Sequence, residues 1–383
     1  MRALCWEGAD TLAVRQVPDP ELRNAQDMIV RVRRSVTCGA DLPLLAGGVP
    51  HLAAGDVLGH EFLGEVVEVG PEVRRHRVAD RVVVCAGIAC GACWFCRQGL
   101  FACCDNGTTG AAGAEPEWGQ PTGGCYGRPA LLGGFAGSHA EFVRVPYADV
   151  GAFTVPEGVS DDRAVFASDA APTGWMGAEL GEVGPGDVVA IWGAGAVGQL
   201  TAAAARLRGA ARVIVIDDRD ERLRMVERYV GAEPLNFRYL DVPAELRERS
   251  GGRGPDVCVE AAGPAARSPG LFAGRPGRRA DGSPALREAV HSCRKGGTVV
   301  LLGTGAGFVD TFPLGAVLDK GLTVRGGRQH GQRWIPMLLD RMARDELRTE
   351  HLATHRLPLE RGADGYALFR DRADGCVRVV FSP

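Results

Sequence analysis

The chain has 383 residues, enough for about two domains. Hydrophobic residues make up 45% and charged residues 24%, the balance of a soluble globular protein and not of a disordered or fibrous one. A formal net charge of −3 excludes a strongly basic nucleic-acid or anionic-membrane surface, and no run approaches the roughly 18 apolar residues of a transmembrane helix.

The first residues, Met1-Arg2-Ala3-Leu4-Cys5-Trp6, read as a strand and lack the long apolar core of a secretory signal. The 12 cysteines are therefore expected to be cytosolic thiols and metal ligands, not disulfides, which places the protein in the cytoplasm. Lys295 and Lys320 are the only lysines among 44 basic residues, a bias better assigned to coding than to an arginine-based binding function. The 54 glycines fit a loop-rich enzyme with close backbone approaches.

Residues 1 to about 155 are β-rich, with alternating or β-branched runs at Met28–Val32, Phe62–Val69 and Arg81–Cys85 punctuated by Pro and Gly. Two short motifs interrupt them. Cys38 lies in Val36-Thr37-Cys38-Gly39-Ala40-Asp41, and His60 in Gly59-His60-Glu61. Together with Asp169, in Ala167-Ser168-Asp169, they supply three protein ligands for one zinc, leaving a fourth position for water or a substrate oxygen; an open position is the mark of a catalytic zinc. A second set follows in Cys90-Gly91-Ala92-Cys93-Trp94-Phe95-Cys96, with Cys103 and Cys104 just beyond. Three cysteines at this spacing plus a fourth nearby close a tetrahedral shell, so this zinc is expected to be structural. Chemistry alone leaves Cys103 and Cys104 equal as the fourth ligand. The plain alternative, a cluster of buried thiols, does not ask for such regular spacing.

From about residue 171 strand and helix alternate. Val188–Trp192 is a short buried strand, Gly193-Ala194-Gly195-Ala196-Val197-Gly198 follows at once, and an alanine-rich helix runs to about Leu207. The next strand, Val213–Ile216, ends at Asp217, 19 residues beyond Gly198. Glycines there permit a tight turn and close approach of a pyrophosphate to a helix N-terminus, and the acid stands where adenosine ribose hydroxyls are held. A carboxylate repels a 2′-phosphate, which argues for NAD(H) over NADP(H), although Arg219 offers that phosphate a partner. Strands at Val257–Glu260 and Thr298–Leu302, separated by a helix at about Ala285–Cys293, complete a doubly wound parallel sheet.

On these motifs, in this order and nearly end to end, the chain resembles the zinc-dependent medium-chain alcohol dehydrogenases. Within them it is most similar to the glutathione-independent formaldehyde dehydrogenase branch, through Ser168-Asp169-Ala170-Ala171-Pro172-Thr173-Gly174-Trp175, the stretch Gly123–Asp149 and the C-terminal Thr354–Leu359 through Asp374-Gly375-Cys376. The resemblance implies a GroES-like catalytic domain from residues 1–170 and 326–383, with a structural-zinc lobe at about 88–106, and a Rossmann domain at 171–325. It implies Cys104 as the fourth structural ligand. It implies that Thr173 packs near the nicotinamide, that Arg222 lies beside the adenosine, and that Gly303 joins the cofactor-binding set. Glu61 either ligates the zinc transiently or tunes it from its side. The function implied is hydride transfer between NAD(H) and an alcohol, aldehyde or ketone held on zinc, in a homodimer or homotetramer with two zincs per chain, with a small molecule as substrate and neither nucleic acid nor membrane as partner.

The chain departs from the family where a proton must move. Ala40 and Pro43 stand where a hydroxyl and often a histidine pass the alcohol proton to solvent, and neither can carry one. Met176 likewise stands where the formaldehyde branch often has histidine. This keeps open a reductase of conjugated C=C bonds and, third, a non-catalytic zinc and nucleotide binder, which the complete ligand set disfavours. His51, His76, His330 and His351 are expected in loops or at the surface; Cys5, Cys85, Cys258, Cys293 and Cys376 are expected as small core residues. Trp118, Phe135 and Trp334 either line the pocket or are ordinary packing, and the pocket is shaped by loops at about 105–137 and 264–284.

Overall fold

The computed structural model describes residues 1–49, 51–108, 119–128, 132–263, 284–303, 309 and 311–383. The chain forms two compact units, Met1–Pro172 with Gln329–Pro383, and Thr173–Arg328.

The first unit is built on a seven-stranded sheet. In order across it run His355–Pro358, Val379–Ser382, Met28–Val36, Glu61–Val69, Arg81–Val84 and Ala152–Thr154, with Phe142–Val145 also paired to Met28–Val36. All pairings are antiparallel except His355–Pro358 beside Val379–Ser382. The last strands of the chain thus extend a sheet whose earliest strand is Met28–Val36. Alternation explains the core. Met28, Val30 and Val32 turn inward while Arg31 and Arg33 point to solvent. The inward residues meet Phe62, Val66, Val82, Val84 and Tyr126 in one apolar cluster. Phe62 and Tyr126 pack edge to face, ring centroids 5.2 Å apart, a contact worth about 0.5–1.5 kcal/mol beyond the area it buries.

The second unit is a six-stranded parallel sheet in the order Glu233–Asn236, Arg212–Asp217, Val188–Trp192, Val257–Glu260, Thr298–Leu301, Thr323–Gly326. Its central strands are buried on both faces and are continuous apolar runs for that reason. On one face the helix Pro284–Ser292 lays Ala285, Leu286, Ala289 and Val290 against Ala190, Ile214, Cys258 and Val299. This is the Rossmann arrangement, with strand Val188–Trp192 at its centre and the helix Ala196–Leu207 opening directly after the glycine loop.

Cys5, Cys85, Cys258, Cys293 and Cys376 are buried as expected. His76, expected in a loop or at the surface, lies in the loop between Glu61–Val69 and Arg81–Val84 and is buried there, its Nε2 3.2 Å from the Ala152 carbonyl oxygen. Among the described residues no helix is long and apolar enough to cross a membrane.

Candidate metal centres and cofactor site

Cys38 leaves the strand Met28–Val36 just before a tight helical turn, Gly39–Asp41. His60 sits immediately before the strand Glu61–Val69, and the pairing of Val36 with Glu61 brings the two strand ends together. Gly59 makes this junction possible. Its φ is +96°, and a Cβ there would lie 2.7 Å from the ring of His139. Asp169 follows the helical turn Val165–Ser168, which packs under the same strands. The result is a buried cluster in which ligand atoms of Cys38, His60, Glu61 and Asp169 all lie within 4.8 Å of one another. Asp169 Oδ2 is 3.6 Å from His60 Nε2 and 4.0 Å from Cys38 Sγ. A tetrahedral zinc at its usual bond lengths holds its ligand atoms roughly 3.3–3.8 Å apart, so this donor set fits the ion. Both oxygens of Glu61 are fully buried without a hydrogen-bond partner, a costly state for a carboxylate unless a cation answers it.

Around the cluster lies a polar shell. Asp41 is fully buried, and its Oδ2 accepts the Cys38 N–H and the Tyr366 hydroxyl, each at 2.9 Å. Its Oδ1 faces His60 Nδ1 at 3.2 Å, a close pair outside ideal hydrogen-bond geometry, and Arg128 Nη2 at 3.7 Å. Burial pushes the His139 imidazole down to about 4, so it is neutral. With Tyr366 donating to Asp41, His139 Nε2–H donates to Tyr366 at 2.8 Å and Nδ1 accepts from Ser35 at 2.7 Å. Arg378 completes the shell, with Nη2 3.3 Å from Glu61 Oε1 and 3.8 Å from Cys38 Sγ. Burial raises the Cys38 thiol, with the Arg378 cation opposing it. Burial likewise pushes Glu61 up to about 7, again against Arg378. Asp169 goes the other way; burial would raise it, but His60 and Arg378 hold it below the usual carboxylate range.

Sequence reasoning identified the four cluster residues and missed Asp41, Arg128, His139, Tyr366 and Arg378. Asp41 carried a local signal, since its carboxylate reaches back three residues to the Cys38 N–H. The others have none, being far away in the chain.

The second cluster joins Cys90, Cys93, Cys96 and Cys104, again within 4.8 Å. Cys103 is not among them, although its neighbour is. Cys93 caps the short helix Trp94–Arg97, which orients Cys96. Backbone N–H groups point at the sulfurs, from Cys90 to Cys104 Sγ at 3.2 Å and from Cys93 to Cys90 Sγ at 3.4 Å, and Asn106 Nδ2 donates to Cys90 Sγ at 3.3 Å. Burial opposes ionisation of Cys90, but the Ala92 N–H, Asn106 and the Cys93 N–H, all donating to its sulfur, outweigh it and hold the thiol down at about 6. Four cysteine sulfurs placed together in this way can close a shell suited to a structural zinc.

In the second unit Gly195 stands at the N-terminus of the helix Ala196–Leu207, where a Cβ would meet nothing within 4 Å. That open face beside unpaired helix N–H groups fits a pyrophosphate. Gly198 shows the opposite constraint, since a Cβ there would stand 1.8 Å from the Gly193 carbonyl oxygen. Asp217 ends its strand with Oδ2 accepting the Ala194 N–H at 2.7 Å and Oδ1 accepting the N–H of Asp218 and Arg219 at 2.8 and 3.0 Å. Arg222 is buried, Val197 half-buried, and the Gly303 N–H donates to Glu260 Oε2 at 3.1 Å. Thr173 is the fourth residue of the helix Ala170–Leu180, half-buried, and Met176 on the same helix is fully buried. Phe135 packs against Tyr126 and Trp334 is buried beside His330. Trp118, like residues 109–118, 129–131 and 264–283 of the two loops, lies outside the described residues.

Comparison with known proteins agrees with both halves. Residues 24–157 match the alcohol dehydrogenase GroES-like domain and residues 196–279 the zinc-binding dehydrogenase domain. The chain is 32% identical to an uncharacterized zinc-type alcohol dehydrogenase-like protein, AdhB, of Bacillus subtilis, over 100% of both chains. Among solved structures it is similar to the alcohol dehydrogenase TADH from Thermus sp. ATN1, with 33% identity and a TM-score of 0.86, covering 100% of this chain and 99% of that one. A Sinorhizobium meliloti protein solved bound to NADP is 26% identical with a TM-score of 0.78, covering 100% and 99%. With the zinc-ligand clusters in one unit and the glycine loop in the other, the chain belongs to the zinc-type medium-chain alcohol dehydrogenase family.

Proposed function

We propose that the protein is an NAD-dependent zinc oxidoreductase of alcohols and aldehydes or ketones. The observation that carries this is the buried set of Cys38, His60, Glu61 and Asp169 with ligand atoms within 4.8 Å. When bound, zinc supplies a Lewis acid for the substrate oxygen, and NAD(H) accepts or gives the hydride. Oxidation of an alcohol then yields a carbonyl compound, NADH and one proton. The protein's own residues set the conditions. Asp41 Oδ1 lies 3.2 Å from His60 Nδ1, while the opposite ring nitrogen, Nε2, faces the cluster. Arg378 offsets the charges of Cys38 and Glu61. Asp217, presented by the strand end and three backbone N–H groups, would take the adenosine ribose hydroxyls and disfavour a 2′-phosphate. Thr173, by family position, packs near the nicotinamide. Cys90, Cys93, Cys96 and Cys104 would hold a second, structural zinc, and the family suggests a cytoplasmic homodimer or homotetramer.

The similarity to the glutathione-independent formaldehyde dehydrogenase branch rests on Ser168–Trp175, the stretch Gly123–Asp149 and the C-terminal Thr354–Cys376, and Ala40, Pro43 and Met176 set it apart, so formaldehyde is not the substrate assigned. A second reading is favoured by Ala40 and Pro43. Where no side chain passes a proton at the substrate oxygen, conjugate reduction of an enal or enone fits, because hydride goes to the β-carbon and the proton arrives later at the α-carbon. A non-catalytic role is disfavoured by the intact ligand set.

The test is zinc analysis with NADH titration, in the natural protein and in Asp169→Ala. The natural protein should hold about two zincs per chain and bind NADH. Asp169→Ala should retain the structural zinc and the fold, lose the other ion and lose turnover. Full activity in Asp169→Ala overturns the assignment.

A further inference from the structure

The residue after Asp217 carries a second carboxylate. Asp218 is only 8% exposed, which is unusual for an acid in a strand-to-helix turn. One arginine bonds it there and a second lies beside it. Arg238, two residues beyond the strand Glu233–Asn236, places Nη2 3.1 Å from Asp218 Oδ2. Arg219 brings Nε to 3.9 Å from Asp218 Oδ1, and that Nε has no hydrogen-bond partner. Both arginines remain partly open, with side chains 34% exposed at Arg219 and 51% at Arg238. The arrangement is locked from its base, because the Asp218 and Arg219 N–H groups both donate to Asp217 Oδ1. The Arg238 N–H donates to Asn236 Oδ1, and Asn236 Nδ2 in turn donates to Asp220 Oδ1.

Two guanidinium groups beside the acid that meets the adenosine ribose are, by themselves, the equipment of an NADP(H) site, since an arginine there accepts the 2′-phosphate. Here the Arg238 fork turns to Asp218, with Arg219 Nε 3.9 Å from the other oxygen of the same carboxylate. We infer that Asp218 sets the cofactor selectivity, by engaging Arg238 so that its fork is not free to receive a 2′-phosphate and by offsetting the charge of Arg219 beside it. Asp217 supplies acceptors for a ribose diol; Asp218 withholds the donors a phosphate would need. The four side chains together carry no net charge, and removing Asp218 leaves two cations against one anion at that spot. This rests on the reading above that Asp217 marks the adenosine end of a dinucleotide site.

The experiment is fluorescence titration of NADH and NADPH, which reads binding and not turnover, on the natural protein, Asp218→Ala, Asp218→Asn and Asp218→Ala/Arg238→Ala. Asp218→Ala should tighten NADPH by about 10-fold or more, the scale of one charge-assisted hydrogen bond, and change NADH by less than about 3-fold. The gain should shrink at high salt and disappear in the double variant. Asp218→Asn keeps the shape of the turn and should show the same direction, which guards against a folding defect in the alanine variant. A natural protein that prefers NADH, with an NADH-to-NADPH ratio unmoved in both single variants, overturns this inference and leaves the NAD reading intact. Loss of both cofactors in parallel also overturns it, since that is the mark of a merely structural aspartate. A natural protein that binds NADPH as well as NADH overturns the NAD reading itself.

Discussion

His60 Nδ1 stands 3.2 Å from Oδ1 of Asp41, a carboxylate with no exposed surface. The other oxygen of Asp41 is committed to the Cys38 N–H and the Tyr366 hydroxyl. One side chain therefore touches two of the candidate zinc ligands, bonding the cysteine through its backbone and lying against the histidine at its ring nitrogen. Such partners usually raise metal affinity by about 10- to 100-fold. Asp41→Asn is expected to release the catalytic zinc at that much lower chelator concentration while the structural zinc stays. Competition against a chromogenic chelator measures it, and an unchanged release curve would count against the role. Tyr366→Phe, which removes one donor and keeps the carboxylate, should shift the curve less.

The two adjacent cysteines of the lobe give a sharper contrast. Cys104 Sγ belongs to the four-sulfur cluster and Cys103 does not. Cys104→Ala should lower the zinc content from about two ions per chain to about one and cause loss of folded protein, because a structural metal contributes folding energy. Cys103→Ala should keep both ions and melt near the natural protein. The reverse pattern would assign the lobe to the wrong cysteine.

How much of this was legible from sequence depended on whether the signal was local. Val188–Trp192 and Val257–Glu260 are strands over the residues read as strands, because strands buried on both faces are unbroken apolar runs. The sheet edges were not read. Glu233–Asn236 contains Pro234, and Thr323–Gly326 is largely exposed, so neither has the composition of a buried strand. The metal clusters were legible because ligand chemistry restricts the residue types. Their supporting shell was not, since Arg378 reaches Glu61, and Tyr366 reaches Asp41, only after the C-terminal segment has joined the first sheet. Nothing near Arg378 or Tyr366 in the chain announces that contact.

A buried acid in the second unit gives a prediction on pH. Glu288 Oε2 accepts the Trp192 indole N–H at 2.6 Å, and the residue is 5% exposed. Burial raises its carboxyl above the ordinary 4.5, with the indole opposing. A raised value means the native state holds this proton more tightly than the unfolded chain. This contribution to stability is therefore full below about 4.5 and is lost as pH rises through the raised value. Glu288→Gln keeps an acceptor for the indole and cannot titrate, so it should flatten that slope and be at least as stable as the natural protein at neutral pH. Glu288→Ala, which strands the buried indole N–H, should cost about 1–3 kcal/mol. Denaturation of all three proteins at pH 5 and pH 7 makes the comparison, and an unchanged slope in Glu288→Gln would refute it.

The last prediction concerns the proton. Alcohol oxidation must release one from the substrate hydroxyl, and the family resemblance sets Ala40 and Pro43 at the stations where relatives pass it on. Ala40 is half-buried, and its carbonyl oxygen accepts from Arg128 Nη1 at 2.6 Å, so the backbone at this station is pinned and its acceptor occupied. The buried chain of Ser35, His139 and Tyr366 ends on Asp41, behind His60, and not at Ala40. General acid–base help is typically worth about 100- to 10,000-fold in rate, so its absence should show in saturated alcohols, whose only labile proton is on that oxygen. Conjugated carbonyls should be affected less, because their proton is added at carbon after hydride transfer. Saturated alcohols, aldehydes and conjugated carbonyls should therefore be assayed side by side in the natural protein and in Ala40→Ser. A serine at this position adds a hydroxyl without disturbing the carbonyl that Arg128 holds. Ala40→Ser is expected to raise alcohol oxidation, most strongly below neutral pH where proton release is hardest, and to leave conjugate reduction almost unchanged. If the natural protein already oxidises simple alcohols as fast as Ala40→Ser does, the missing relay has no bearing on the reaction and the case for a conjugated substrate falls with it.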